Sequence, residues 1–304
     1  MSAELETDVL KGVSRSFYLS LRFLPRPMRR PASIAYLLAR ASDTIADSAE
    51  ISAEERLDFL AKFSKQVAGE EKGEAWPQHL LNGTPDLKER ILLECHADIL
   101  RALSSLRAEE IGLIRELLEI IISGQRLDLE RFGSADSKNI VALKSEAELD
   151  DYTWRVAGCV GIFWTKLGYE TLGQKFSTAP KNELLSHAVD YGKGLQLVNI
   201  LRDLPKDLVA GRSYFPLADP LDRTALMADF QKWRDRAEAL VVRGSAYSGK
   251  LRSRRLRIAS GLPAMIAADT LGKMRDVTFE QLEAGIKISR GSIYRLILKA
   301  WFHL

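Results

Sequence analysis

The chain has 304 residues, 46% of them hydrophobic, and a near-balanced formal charge of +3 from 44 Lys and Arg against 41 Asp and Glu. That supports a sizeable core and argues against a nucleic-acid partner, since there is no strong basic excess, no zinc-finger spacing and no recognisable nucleic-acid module. Cys95 and Cys159 cannot build a disulfide framework, the N-terminus shows no charged-then-apolar leader, and apolar runs such as 117–122 and 156–164 are far shorter than the ~20 residues that span a bilayer, so the expectation is a cytoplasmic protein, soluble or peripheral on the inner face of a membrane.

In chain order, 3–11 reads as a short helix and 12–17 as a hydroxyl-rich connection, where Ser14, Arg15 and Ser16 suit a turn or a helix cap. Pro25, Pro27 and Pro31 are expected to break the next helix and restart it, which makes 34–47 a fresh helical run. At about 100° per residue, Tyr36, Arg40, Asp43 and Asp47 share one face of that run, while Ile34, Leu37, Leu38 and Ile45 lie largely elsewhere.

Ser52 opens an amphipathic helix to Val67, with Ser52-Ala53-Glu54-Glu55 as a capping box. Residues 69–85 form a polar loop punctuated by Gly and Pro. Both 86–102 and 109–131 read as helices. On the second, Leu117, Ile121, Gly124, Gln125 and Asp128 lie close together, so a carboxylate shares a mainly apolar face; Asp128 is either a surface charge or part of a cavity lining. The 146–169 helix sets Tyr152, Val156, Val160 and Phe163 on one side, with Ala157, Gly158 and Gly161 nearby. Such a face is either core or the wall of a ligand chamber.

The stretch 190–207 organises the rest. Gly192, Gln196, Asn199, Asp203 and Asp207 fall on one narrow stripe, and Leu195, Leu197, Val198, Ile200 and Leu201 occupy most of the remaining circumference. Carboxylates on a helix this apolar imply a metal or a basic partner. Two helices, each with an Arg and a DxxxD pair, suit Mg²⁺, a hard ion usually held by one or two carboxylates plus phosphate oxygens. Pro205 cannot donate to Leu201 and disfavours helical geometry at Leu204, so Asp207 is expected beyond a kink. Residues 211–216 read as an ordered loop that folds Arg212 back, and 219–247 as a helix. The basic run 250–257 is either a solvated helix face or a contact for anionic lipid headgroups, and the amphipathic end from Ile293 to Leu304 is suited to graze a membrane. No stretch alternates as a strand would, so the fold class expected is all-α: a single-domain helical bundle with a central active-site cavity.

Four blocks carry a family resemblance: Ser14-Arg15-Ser16-Phe17; Tyr36-x3-Arg40-x2-Asp43-x3-Asp47; Tyr152-x3-Val156-Ala157-Gly158-x-Val160-Gly161; and Gln196-x2-Asn199-x2-Arg202-Asp203-x3-Asp207-x4-Arg212. In order and spacing they resemble the squalene/phytoene synthase family over roughly residues 12–300. The resemblance implies a single isoprenoid-synthase-type domain and a prenyltransferase that joins two farnesyl diphosphates head to head through a cyclopropyl diphosphate. Asp43, Asp47, Asp203 and Asp207 would then hold Mg²⁺. Ser14, Arg15 and Phe17 would touch a diphosphate and the adjoining prenyl chain, and Arg40, Gln196, Asn199, Arg202, Arg212 and Tyr214 the substrate. Val156 and Ala157 would line its tunnel, and Tyr36 or Tyr152 would orient the released diphosphate as base. NADPH is implied where the product is squalene. The rivals are a phytoene synthase, which takes two geranylgeranyl diphosphates and no reductant, and a non-catalytic scaffold. A monomer is expected. The chain departs from the family at Ala46 and Lys206, which stand where an acidic residue is common, and at Arg155, where the squalene branch commonly has an aromatic.

Overall fold

The computed structural model describes residues 3–14, 17–48, 50–286 and 289–303. Arg15 and Ser16 of the first block, and Lys287 and Ile288 near the end, lie outside the described residues. The chain is helical almost throughout, and its contacts group it into two compact units, residues 1–133 with 166–173, and 134–165 with 174–304.

The first unit holds α1 (Ala3–Val13), α2 (Phe17–Phe23), α3 (Arg26–Asp47), α4 (Ala53–Ala68), α5 (Gln78–Asn82), α6 (Leu87–Glu94), α7 (His96–Ser104) and α8 (Ala108–Phe132). Pro25 caps α3 and Pro27 sits in its first turn, where a missing N–H costs nothing. Arg29 supports this start by donating to the Arg22 and Leu24 carbonyls, each at 2.9 Å, which satisfies acceptors that α2 leaves over. The restart therefore falls at Pro25, and Pro31 lies inside an unbroken helix, contrary to the expectation that it too would interrupt. α4 begins where Ser52 accepts from the Glu55 N–H at 3.2 Å and ends at Gly69, whose φ of 83° is left-handed. The single helix expected over 86–102 divides at Cys95 into α6 and α7, and the 69–85 loop carries the short α5. Met28, Ile34, Leu37, Leu38 and Ile45 of α3 are buried, and α3 packs against α4, α7 and α8.

The second unit holds β1 (Val141–Ala142), α9 (Glu146–Thr153), a π-helical turn (Trp154–Gly158), the start of α10 (Cys159–Leu172), α11 (Lys181–Val209), β2 (Arg212–Ser213), α12 (Arg223–Gly249), α13 (Arg254–Lys273), α14 (Phe279–Glu283) and α15 (Arg290–His303). α11 is its axis. It lies against α12, α13 and the π-helical turn, and glycines allow the approach: a Cβ on Gly192 would meet the Ala157 carbonyl oxygen at 2.3 Å, and one on Gly194 the Leu240 Cβ at 2.8 Å. Three buried side-chain contacts join these helices. Tyr191 donates to the Ser260 carbonyl at 2.8 Å, the Trp164 indole to the Ser260 hydroxyl at 3.0 Å, and Thr165 pairs with Tyr247 at 2.9 Å. Pro205 does not end α11. The helix carries on to Val209, its last turns held by buried Leu204 and Leu208, so Asp207 lies within α11, two residues past Pro205. The two strands form a parallel pair, Val141 opposite Arg212 and Ala142 opposite Ser213.

Candidate active site

The site residues expected from sequence fall in two groups, one in each unit. In the first, the side of α3 that is not packed away carries Tyr36, Arg40, Asp43 and Asp47, in the phase its periodicity predicts. Gln125 of α8 donates from Nε2 to Asp43 Oδ1 at 2.5 Å, and Arg40 lies 3.8 Å from the other Asp43 oxygen. Arg40 is also ion-paired to Glu89 of α6. Burial pushes the Asp43 acid up to about 7, and the like charge of Asp47 pushes the same way, while Arg40 and Gln125 oppose them. Nearly half of the Asp43 side chain, 46%, is nevertheless accessible. A carboxylate recessed below its neighbours can be crowded by protein and still touch water, and that water tempers the upward push. Burial opposes the charge on Arg40, but Asp43 and Glu89 outweigh it and hold the guanidinium more firmly protonated than usual.

Phe17 stacks on Tyr36 with centroids 5.1 Å apart, and the Tyr36 hydroxyl donates to the Val13 carbonyl at 3.2 Å. The end of α1 and the start of α2 are thereby tied to the α3 face. Ser14 is buried and its hydroxyl donates to the Leu10 carbonyl. Arg15 lies outside the described residues.

In the second unit, Gln196, Asn199, Arg202, Asp203 and Asp207 form the unburied side of α11, while Leu197, Val198, Ile200 and Leu201 are buried. Arg202 grips Asp203 with two bonds, at 2.5 and 3.1 Å, and Asn199 donates to Gln196 at 3.3 Å. Arg212 reaches Asp207 at 3.3 Å. The backbone arranges that last pair. Gly211 takes a φ of 80° against the Asp136 backbone, where a Cβ would come within 2.4 Å of the Asp136 nitrogen, and the strand pair then fixes Arg212 one residue on. Tyr214 follows, buried, with its ring stacked 4.8 Å from Tyr152, whose hydroxyl donates to that of Tyr214 at 3.3 Å. Val156 and Ala157 lie on the π-helical turn and Val160 early in α10, all three half-buried, whereas Phe163 is buried. Arg155 is engaged by Asp151 at 2.8 Å.

Sequence reasoning named neither Glu89 as the partner of Arg40 nor Gln125 as that of Asp43. Gln125 had a signal, as an amide on an otherwise apolar face of α8; Glu89 had none. Among the described residues, no three His, Cys, Asp or Glu side chains cluster as a ready-made metal centre. The donors on α3 nonetheless fit Mg²⁺: two carboxylates four residues apart whose charges oppose each other, beside a buried Gln125 Oε1 that has no hydrogen-bond partner.

Comparison with known proteins shows the family. The sequence model of the squalene/phytoene synthase family matches residues 10–292. Squalene synthase of Saccharomyces cerevisiae is 27% identical over 96% of this chain and 66% of its own length. Presqualene diphosphate synthase of Rhodopseudomonas palustris is 34% identical over 67% of this chain and 59% of its own, so the chain spans about two thirds or less of these relatives' length. The solved complex of TcSQS with the ligand BPH1237 superposes with a TM-score of 0.81 at 26% identity, covering 98% of this chain and 85% of that one.

Proposed function

Because the chain belongs to the squalene/phytoene synthase family, we propose that it is a head-to-head prenyltransferase that condenses two farnesyl diphosphates through a cyclopropyl diphosphate to squalene or a related C30 hydrocarbon. The observation that carries this reading is the Asp43–Asp47 pair. The like charge of Asp47 makes Asp43 harder to ionise on an otherwise packed helix, a repulsion that a shared cation would relieve.

The chemical task is to break an allylic C–O bond so that the electron pair leaves on diphosphate. Asp43, Asp47, Asp203 and Asp207 are the residues that would hold Mg²⁺, standard for the family, which when bound neutralises the leaving group. Arg40, Arg202 and Arg212 add donors aimed at phosphate oxygens, each already held in place by a carboxylate. Val156 and Ala157 keep water from the cation left behind, which the double bond of the second substrate then attacks. Tyr36 or Tyr152 orients the departed diphosphate to take the proton whose loss closes the cyclopropane. NADPH is the reductant this reading needs where the hydrocarbon is squalene.

The test is to incubate the purified chain with Mg²⁺ and either farnesyl or geranylgeranyl diphosphate, with and without NADPH, and identify the hydrocarbon. Consumption of neither diphosphate defeats the enzyme reading, and a C40 product moves the assignment to phytoene. Asp203→Asn is expected to abolish turnover almost completely with the fold retained.

A further inference from the structure

We propose that the outward face of α15, together with the basic start of α13, docks this protein on an anionic lipid bilayer. Three of the large apolar side chains left exposed in the chain lie on this one helix: Tyr294 at 70%, Leu298 at 60% and Trp301 at 45% accessibility. Their spacing of four and three residues puts them on one stripe of a helix. Ala300, on a different side, is buried, and α15 packs against α13. The helix is thus seated through one face and turns an apolar stripe outward through another.

The charges around the stripe name the occupant. Arg295 and Lys299 are exposed beside it, and Arg254 of α13 lies with its guanidinium 4.8 Å from the centre of the Trp301 ring. That contact brings the run Arg252, Arg254 and Arg255, all exposed, to the end of the stripe. Neither 251–268 nor 284–304 contains an Asp or Glu, in a chain where the two signs are otherwise nearly equal. A face meant for another protein would ordinarily mix signs or present a groove. This one is a single convex helix that offers aromatic and aliphatic groups at one level and only cations around them, the combination that inserts shallowly among headgroups while pairing with their phosphates. Among the described residues no helix is long and apolar enough to cross a membrane, so the mode is lying on the surface. The inference stands on this surface alone and is independent of which hydrocarbon the enzyme makes.

The experiment is flotation of the full chain with vesicles of phosphatidylcholine alone or mixed with phosphatidylglycerol. Binding is expected to the mixed vesicles, to weaken as salt rises, and to be slight on phosphatidylcholine alone. Leu298→Ser with Trp301→Ser, and separately Arg254→Glu with Lys299→Glu, should each lower partitioning at least tenfold while the circular dichroism and melting temperature stay those of the parent. Because all four side chains are at the surface, loss of fold is not expected; should one pair of changes unfold the chain, quenching of tryptophan fluorescence by brominated lipid in the parent, reduced in Trp301→Phe, decides instead. No binding to the mixed vesicles, binding indifferent to both pairs of changes, or a dimer that the serine pair dissociates without any vesicle binding would each overturn the proposal.

Discussion

Gln125 Nε2 donates to Asp43 Oδ1 at 2.5 Å across 82 residues of sequence. The amide holds one carboxylate oxygen in place and opposes burial and the like charges of Asp47 and Glu89, which drive Asp43 toward its neutral form. Gln125→Leu removes that bond at little change in volume. A hydrogen bond to a partly accessible carboxylate contributes about 1–2 kcal/mol, so turnover at limiting Mg²⁺ should fall roughly five- to thirtyfold. Saturating Mg²⁺ should recover much of the loss. Unchanged Mg²⁺ dependence of diphosphate release would mean that Gln125 only fills space.

The Tyr152–Tyr214 pair gives a second expectation. The rings stack and the hydroxyls meet at 3.3 Å, with Tyr214 buried directly after the strand that sets Arg212. Tyr214→Phe keeps the ring and removes the hydroxyl, at a cost of about 1 kcal/mol in stability. If Tyr152 meets the diphosphate and Tyr214 only orients it, Tyr152→Phe should lower kcat more than Tyr214→Phe does. Equal losses, or a larger one from Tyr214→Phe, would reverse those roles; steady-state kinetics on both variants decides.

The faces of the two acidic helices were legible because helical periodicity alone assigns sides. Ile34, Leu37, Leu38 and Ile45 are buried and Tyr36, Arg40, Asp43 and Asp47 are not, as their spacing requires. What periodicity cannot supply is the tertiary partner. Glu89 sits in the first turn of α6, behind the Asp86 cap, and nothing local ties it to Arg40 forty-nine residues away. The π-helical turn at 154–158 was equally silent, since one wide turn within a helical run leaves no hydrophobic pattern of its own. Pro31 misled for a related reason: it removes one ladder bond, a local penalty that burial of the neighbouring side chains outweighs.

Glycine spacing around α11 makes a stability prediction with its own control. A Cβ on Gly192 would lie 2.3 Å from the Ala157 carbonyl oxygen and 3.0 Å from the Gly158 Cα, all backbone, so no side chain can swing aside. Gly192→Ala should therefore cost about 1–3 kcal/mol and displace the turn that carries Val156 and Ala157. Gly112 in α8 is exposed with nothing within 4 Å of its would-be Cβ, and Gly112→Ala should stabilise by about 0.5–1 kcal/mol. Urea denaturation of both variants measures the difference, and two shifts of the same sign would refute the packing argument.

His96 supplies a pH dependence. The ring is buried at the start of α7, 4.9 Å from the Trp76 ring, with Nδ1 2.9 Å from the Leu93 carbonyl oxygen. Burial pulls its pKa below the usual histidine value, and Lys62 adds to that. The folded state therefore prefers the neutral ring. Above about pH 6.5 the unfolded chain is neutral there too, and the stabilisation is fully present; as the pH drops below 6.5 and toward the depressed folded value, only the unfolded chain takes the proton and the stabilisation is lost. Asp43 works in the opposite direction: its raised acid favours the protonated form in the fold, so its contribution is present below the ordinary aspartate value of 3.8 and is lost as the pH rises through about 7. The two would mask each other in a single profile, so the quantity to follow is the stability difference between the parent and His96→Gln. That difference should shrink between pH 6.5 and 5 by at most about 1.4 kcal/mol per pH unit, read from urea midpoints at each pH. A difference constant over that range would show that His96 takes up its proton equally in both states.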